Sequence, residues 1–110
     1  MTSSAAPDPN ALFWRLAEEL YADPTVAEGT MMGSRCLRRD GEFIAMMDVR
    51  TDNMVVKLAA PRVLELIDEG AGAAFAPAGR VFREWLDVAT PDERRWRALL
   101  TEAQDFAAAS

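Results

Sequence analysis

Apolar residues recur along this chain at two spacings, and the spacing divides it into helices and strands. Leu12, Phe13, Leu16, Leu20 and Tyr21 fall on one side of a helix, with Arg15, Glu18 and Glu19 on the other. Asp8-Pro9-Asn10 starts that helix, because Asp8 or Asn10 can cap it and Pro9 suits its first turn; Pro24 closes it. From Thr30 the pattern turns to strands. Met31 to Leu37 reads as one, with Gly33 marking a bulge or a close backbone approach. Asp40-Gly41 tolerates the positive φ of a tight hairpin, so Glu42 to Val49 returns alongside. Polar Arg50 to Asn53 makes a further turn, and Met54 to Leu58 a third strand.

Ala60-Pro61 opens a second helix whose apolar stripe is Val63, Leu64 and Ile67, with Gly70 as its C-terminal cap. Ala73 to Ala76 reads as a short edge strand, Ala78-Gly79 as a turn, and Val81 to Val88 as a fifth strand. Alternation puts Phe82, Leu86 and Val88 on one face of that strand, and Arg83, Trp85 and Asp87 on the other. Thr90-Pro91-Asp92-Glu93 combines a Thr cap, a first-turn Pro and a Glu three residues after the cap. Trp96, Leu99, Leu100, Ala103 and Phe106/Ala107 follow at helical period. The order α-β-β-β-α-β-β-α predicts an α+β fold, a two-layer sandwich whose mostly antiparallel sheet carries the helices on one face.

At 110 residues the chain has room for one domain. Residues 1–9 read as a flexible tail and 10–110 as that domain. No apolar run reaches the ~20 residues that span a bilayer. Met1 to Asn10 lacks the basic start and hydrophobic stretch of a secretory signal. A cytoplasmic protein without a membrane partner is expected. Twelve basic residues against 18 acidic ones give a net charge of −6, which disfavours nucleic acid as a partner.

The chain has no histidine and one cysteine, Cys36. That excludes Ser-His-Asp and Cys-His catalysis and leaves zinc a single thiolate. Cys36 reads as a small buried hydrophobe. A Mg²⁺ or Ca²⁺ site built from carboxylates remains formally open. The pairs Glu18-Glu19, Asp68-Glu69 and Asp92-Glu93 are adjacent in helices, however, where neighbours diverge by about 100°. Gly70-Ala71-Gly72 lacks the Lys-Ser/Thr of a phosphate loop. No catalytic residue, cofactor or metal is expected, and the chain reads as a non-enzyme.

Three places carry a resemblance. Met31-Met32-Gly33-Ser34 stands where a Met-Phe-Gly-Gly stretch would begin the first strand. Val55-Val56-Lys57-Leu58 precedes a helix. Gly70, Phe75, Ala78-Gly79-Arg80 and the Trp85 strand follow in the order glycine, aromatic, glycine-basic turn and aromatic strand. Over Leu12 to Val88 the chain resembles the N-terminal domain of the TfoX/Sxy competence-regulator family. The resemblance implies a two-layer α/β sandwich like that of secretion chaperones and a regulatory role through partners.

Several side-chain groups could carry binding chemistry. Arg35, Arg38 and Arg39 crowd the first hairpin and could hold an anion, or simply solvate a hairpin end. Arg94, Arg95 and Arg97 sit beside Asp92 and Glu93, which compensate them. Arg80, Arg83 and Trp85 form a sharper candidate, a surface on the last strand for an anion or a stacked nucleobase. Met31, Met32, Met46, Met47 and Met54 could bind a soft metal but more simply fill gaps in a core. In the second strand Phe43, Ala45, Met47 and Val49 alternate with Ile44 and Met46. Apolar residues on both faces want cover on both. A homodimer through Ile44 and Met46 is therefore expected, beside an unidentified protein partner.

Overall fold

A computed structural model describes residues 8–109. The tail expected over residues 1–9 lies mostly outside them; Asp8 caps the first helix and Pro9 is its first residue. In chain order the elements are α1 (Pro9–Leu20), β1 (Val26–Met31), β2 (Ser34–Arg39), β3 (Glu42–Met47), β4 (Met54–Lys57), α2 (Ala60–Asp68), β5 (Ala73–Phe75), β6 (Phe82–Val88) and α3 (Glu93–Ala108). The strands form one antiparallel sheet in the order β1-β2-β3-β4-β6-β5. The α+β architecture and the expected order of elements are present, with one additional strand.

That additional strand is β1. Only Val26 of its six residues is buried, so it has no alternating pattern to reveal it. Met32 and Gly33 form the two-residue turn between β1 and β2, with φ of 53° and 79°. Gly33 is therefore neither a bulge nor a close approach. A Cβ there would meet nothing within 4 Å, and the residue is needed for its positive φ. Asp40-Gly41 makes the next hairpin as expected, again with both φ positive.

The helix ends follow local chemistry. The Asp8 side chain accepts a hydrogen bond from the Asn10 amide and caps α1. Helix α2 ends in a Schellman arrangement, in which the Gly70 amide donates to Ile67 and the Ala71 amide to Leu66. Gly72 then rests on β6, where a Cβ would come within 2.8 Å of Leu86 Cγ. At α3 the cap is Asp92, which accepts from the Arg95 amide, and not Thr90; the Thr90 carbonyl instead accepts from the Trp96 indole.

Helix α3 lies against β3 and β4, α2 against β5 and β6, and α1 against α3. Phe13, Leu16, Trp96, Leu99 and Leu100 meet Leu37, Met54, Val56, Leu86 and Val88 in the main core. Asp23 ties its edge. That carboxylate accepts from Thr25, from Arg39 on β2 and from Gln104 on α3, and these bonds hold it well below the usual carboxylate range.

A second, smaller core occupies the opposite face of the sheet, and here the expected assignment of faces is corrected. Leu37 pairs with Ala45 but Arg38 pairs with Phe43, so Ile44 is an extra residue in β3. A bulge of this kind reverses the parity of the strand beyond it. Ile44 and Ala45 both join the core beneath the helices, whereas Phe43 joins Met46 on the other face. Ile44 and Met46 thus lie on opposite sides of the sheet, and both are fully buried by the chain's own atoms. They cannot present a dimer face.

Aromatic rings provide the missing cover. Phe43 on β3 and Trp85 on β6 start about 10 Å apart, with β4 between them. They lean together until their ring centroids are 4.4 Å apart and nearly parallel. Phe75 and Phe82 close against Trp85 at 5.4 and 5.0 Å. Beneath them lie Cys36, Met46 and Val55. Phe82 was expected beside Leu86 and Val88. The irregular pairing of β5 with β6, in which Ala74 meets Leu86 but Phe75 meets Phe82, places it with Trp85.

Candidate functional site

Most arginines that the sequence offered as anion ligands are already engaged. Arg35 pairs with Glu28 and lies 4.0 Å over the Trp14 ring; Arg38 donates to the carbonyls of Thr30 and Gly41; Arg39 pairs with Asp23. Neighbours in sequence, they serve three separate sites. Arg97 bridges Glu19 and Glu93, and Arg95 reaches Glu69 at 4.0 Å. The methionines do not converge either. Met46 lies in the smaller core, Met47 and Met54 lie under the helices, and Met32 is exposed in its turn. Cys36 is buried, and burial pushes its thiol pKa up. Among the described residues, no three His, Cys, Asp or Glu side chains gather to hold a metal ion.

Arg80 and Arg83 are different. Among the described residues neither side chain forms an ion pair or hydrogen bond, a condition they share with Arg94; Arg80 has only a distant contact, 5.9 Å, with the Phe82 ring. Trp85, expected beside them as a stacking surface, is 9% exposed and packed against Phe43, Phe75 and Phe82. It has no free ring face for a base.

What lies beside Arg83 is an apolar groove of about 470 Å³ between α2 and the β5–β6 edge. Pro61, Leu64 and Ile67 form its helical wall, and Ala74, Val81 and Phe82 its strand wall. Its position follows from how α2 lies. Val63 and Leu66 are the residues that α2 buries. Leu64, expected in the buried stripe, is turned away and 68% exposed, and Val81 across the groove is 56% exposed. Isolated exposed apolar residues are ordinary. Here two of the four large exposed ones among the described residues face each other beside an unpaired cation.

A second recess, of about 370 Å³, is lined by Asp48, Arg50, Phe75, Pro77 and Asp87. Burial pushes the Asp48 carboxyl pKa up, but three hydrogen bonds from Arg50 and its charge outweigh that and hold it below the ordinary range. Asp87 is half-buried and accepts from Asn53. Burial raises its pKa, the Asn53 bond offsets part of the rise, and the Asp48 charge adds to it. Sequence spacing gave no hint of this pair, because strands β3 and β6 meet only through β4.

The raised pKa of Asp87 has a defined sign. Between the ordinary carboxylate value of ~4 and its folded value, the native state binds more protons than the unfolded chain, so stability falls as pH rises through that window. Asp87→Asn keeps an acceptor for Asn53 and removes the charge. It is expected to stabilise the fold at pH 7, a gain that shrinks and is lost as pH falls below the ordinary carboxylate range. Thermal unfolding at pH 7 and below that range measures this; an equal gain at both would show that the charge is not its source.

Compared with protein-family models, with curated proteins and with solved structures, the chain matches none. Among the described residues no helix is long and apolar enough to cross a membrane.

Proposed function

We propose that this chain is a non-enzymatic interaction module, which binds an acidic, apolar segment of a protein partner in the groove between α2 and β6. The observation that carries this is the grouping of Leu64 and Val81, both exposed, with the unpaired Arg83 around one groove, on a protein of net charge −6. An arginine without a carboxylate in so acidic a molecule is available to an anionic partner. The TfoX/Sxy resemblance supports the same reading, a regulatory domain that acts by association.

The sulfonated fluorophore anilinonaphthalene sulfonate combines apolar rings with an anion and serves as a probe. Its fluorescence is expected to rise on the folded protein, and its binding to weaken about tenfold in Leu64→Asp and in Arg83→Glu, the loss of one charge-assisted or apolar anchor. Near-ultraviolet circular dichroism verifies that the variants keep their packing. Unaltered binding in both variants, or no binding to the parent protein, would remove the groove as the site.

A further inference from the structure

We infer that the partner in the groove is helix α2 of a second copy of this chain, the two copies being related by a two-fold axis. This rests on the reading of the groove as a binding surface and names its occupant. A two-fold interface uses one patch twice, so that patch must carry both halves of every contact. This one does. The exposed Leu64 is a projecting apolar side chain, and the groove beside it is the apolar recess such a side chain fills. Arg83 is a cation on the groove wall without an acidic partner. Asp68, one turn beyond Leu64 on α2, is an exposed anion whose side chain has no hydrogen bond or ion pair among the described residues.

Laid antiparallel across one another, two α2 helices insert each Leu64 into the opposite groove and direct each Asp68 toward the opposite Arg83. The dimer surface moves from Ile44 and Met46, which the fold buries, to a helix that the fold leaves half uncovered. Charges of both signs within one patch also account for how an acidic chain associates with itself, since the unlike pairs offset the repulsion between two net-negative molecules.

Sedimentation velocity over about 1 to 100 µM, the range in which a small interface dissociates, tests this on the whole chain. The parent protein is expected to shift from single-chain to two-chain mass across the series. Leu64→Asp is expected to stay at single-chain mass throughout. Arg83→Asp and Asp68→Arg each place like charges opposite one another, and each is expected to weaken association at least about tenfold. Mixed in equal amounts, those two variants restore both pairs in a heterodimer, and the two-chain mass is expected to return. A parent protein that stays single at every concentration overturns the inference, as does a mixture that fails to recover. The fluorophore titration on dilute protein separates the two readings: a probe-binding groove on a strict monomer leaves the interaction module standing without the self-partner.

Discussion

Met46→Asp is expected to abolish the folded state. Met46 is fully buried in the smaller core among Cys36, Phe43, Val55 and Trp85, and none of these offers a counter-charge. An unpaired charge there costs more than the ~4 kcal/mol that marks an exceptional substitution. A domain of this kind has only about 5–15 kcal/mol in total. Circular dichroism on heating should show no cooperative transition at pH 7. Ile44→Asp should do the same from the other side of the sheet, because it lies under the helices. The informative contrast is Leu64→Asp, which changes a residue standing in solvent and should leave the melting temperature within a few degrees. A well-folded Met46→Asp protein would mean that the second face of the sheet is a surface after all.

Trp85→Ala is expected to be the next most damaging change, at about 3–5 kcal/mol for a large aromatic removed from a core. The loss exceeds that of an ordinary apolar residue because Trp85 holds three other rings in place. Phe43 stacks on it at 4.4 Å, and Phe75 and Phe82 pack at 5.4 and 5.0 Å, with each favourable ring pair adding about 0.5–1.5 kcal/mol beyond burial. Without it Met46 and Val55 lose their cover. Chemical denaturation reads the effect, and Trp85→Phe should recover part of it. A Trp85→Ala variant as stable as the parent would show that the ring belongs to a ligand surface and not to a core. Loss of anion binding in that variant has to be judged against Arg83→Glu, which disturbs no packing.

These two results turn on one irregularity. With Ile44 as an extra residue in β3, Phe43 and Met46 share a face although they are three residues apart, which strict alternation forbids. An expectation built on alternation paired Ile44 with Met46 and left them needing a partner. The structure separates them and covers each differently.

The groove was half legible. Arg80 and Arg83 stand out in the sequence because they lie beside an aromatic strand. That neither has an acidic partner emerges only from the folded chain, in which Arg35, Arg39, Arg62 and Arg97 are paired with residues up to 78 positions away. Spacing assigns Leu64 to the apolar stripe of α2, since Val63, Leu64 and Ile67 fit a helical face as well as Val63 and Leu66 do. Which of two adjacent apolar residues turns inward depends on how the helix is rolled against β5 and β6, and nothing within the helix decides that.

Hydrophobic spacing, caps and turn residues, all of them local, were sufficient to determine three helices, an antiparallel sheet and the order in which they follow. They could not reveal β1, whose only buried residue is Val26, or place Thr90 and Asp92 correctly about the start of α3. The tertiary structure alone decided which apolar residues are covered, which arginines remain unpaired and where Asp48 comes near Asp87. Those properties belong to pairs of residues far apart in the chain. A bulge, a helix roll or a two-strand separation alters them without leaving any mark on the local pattern.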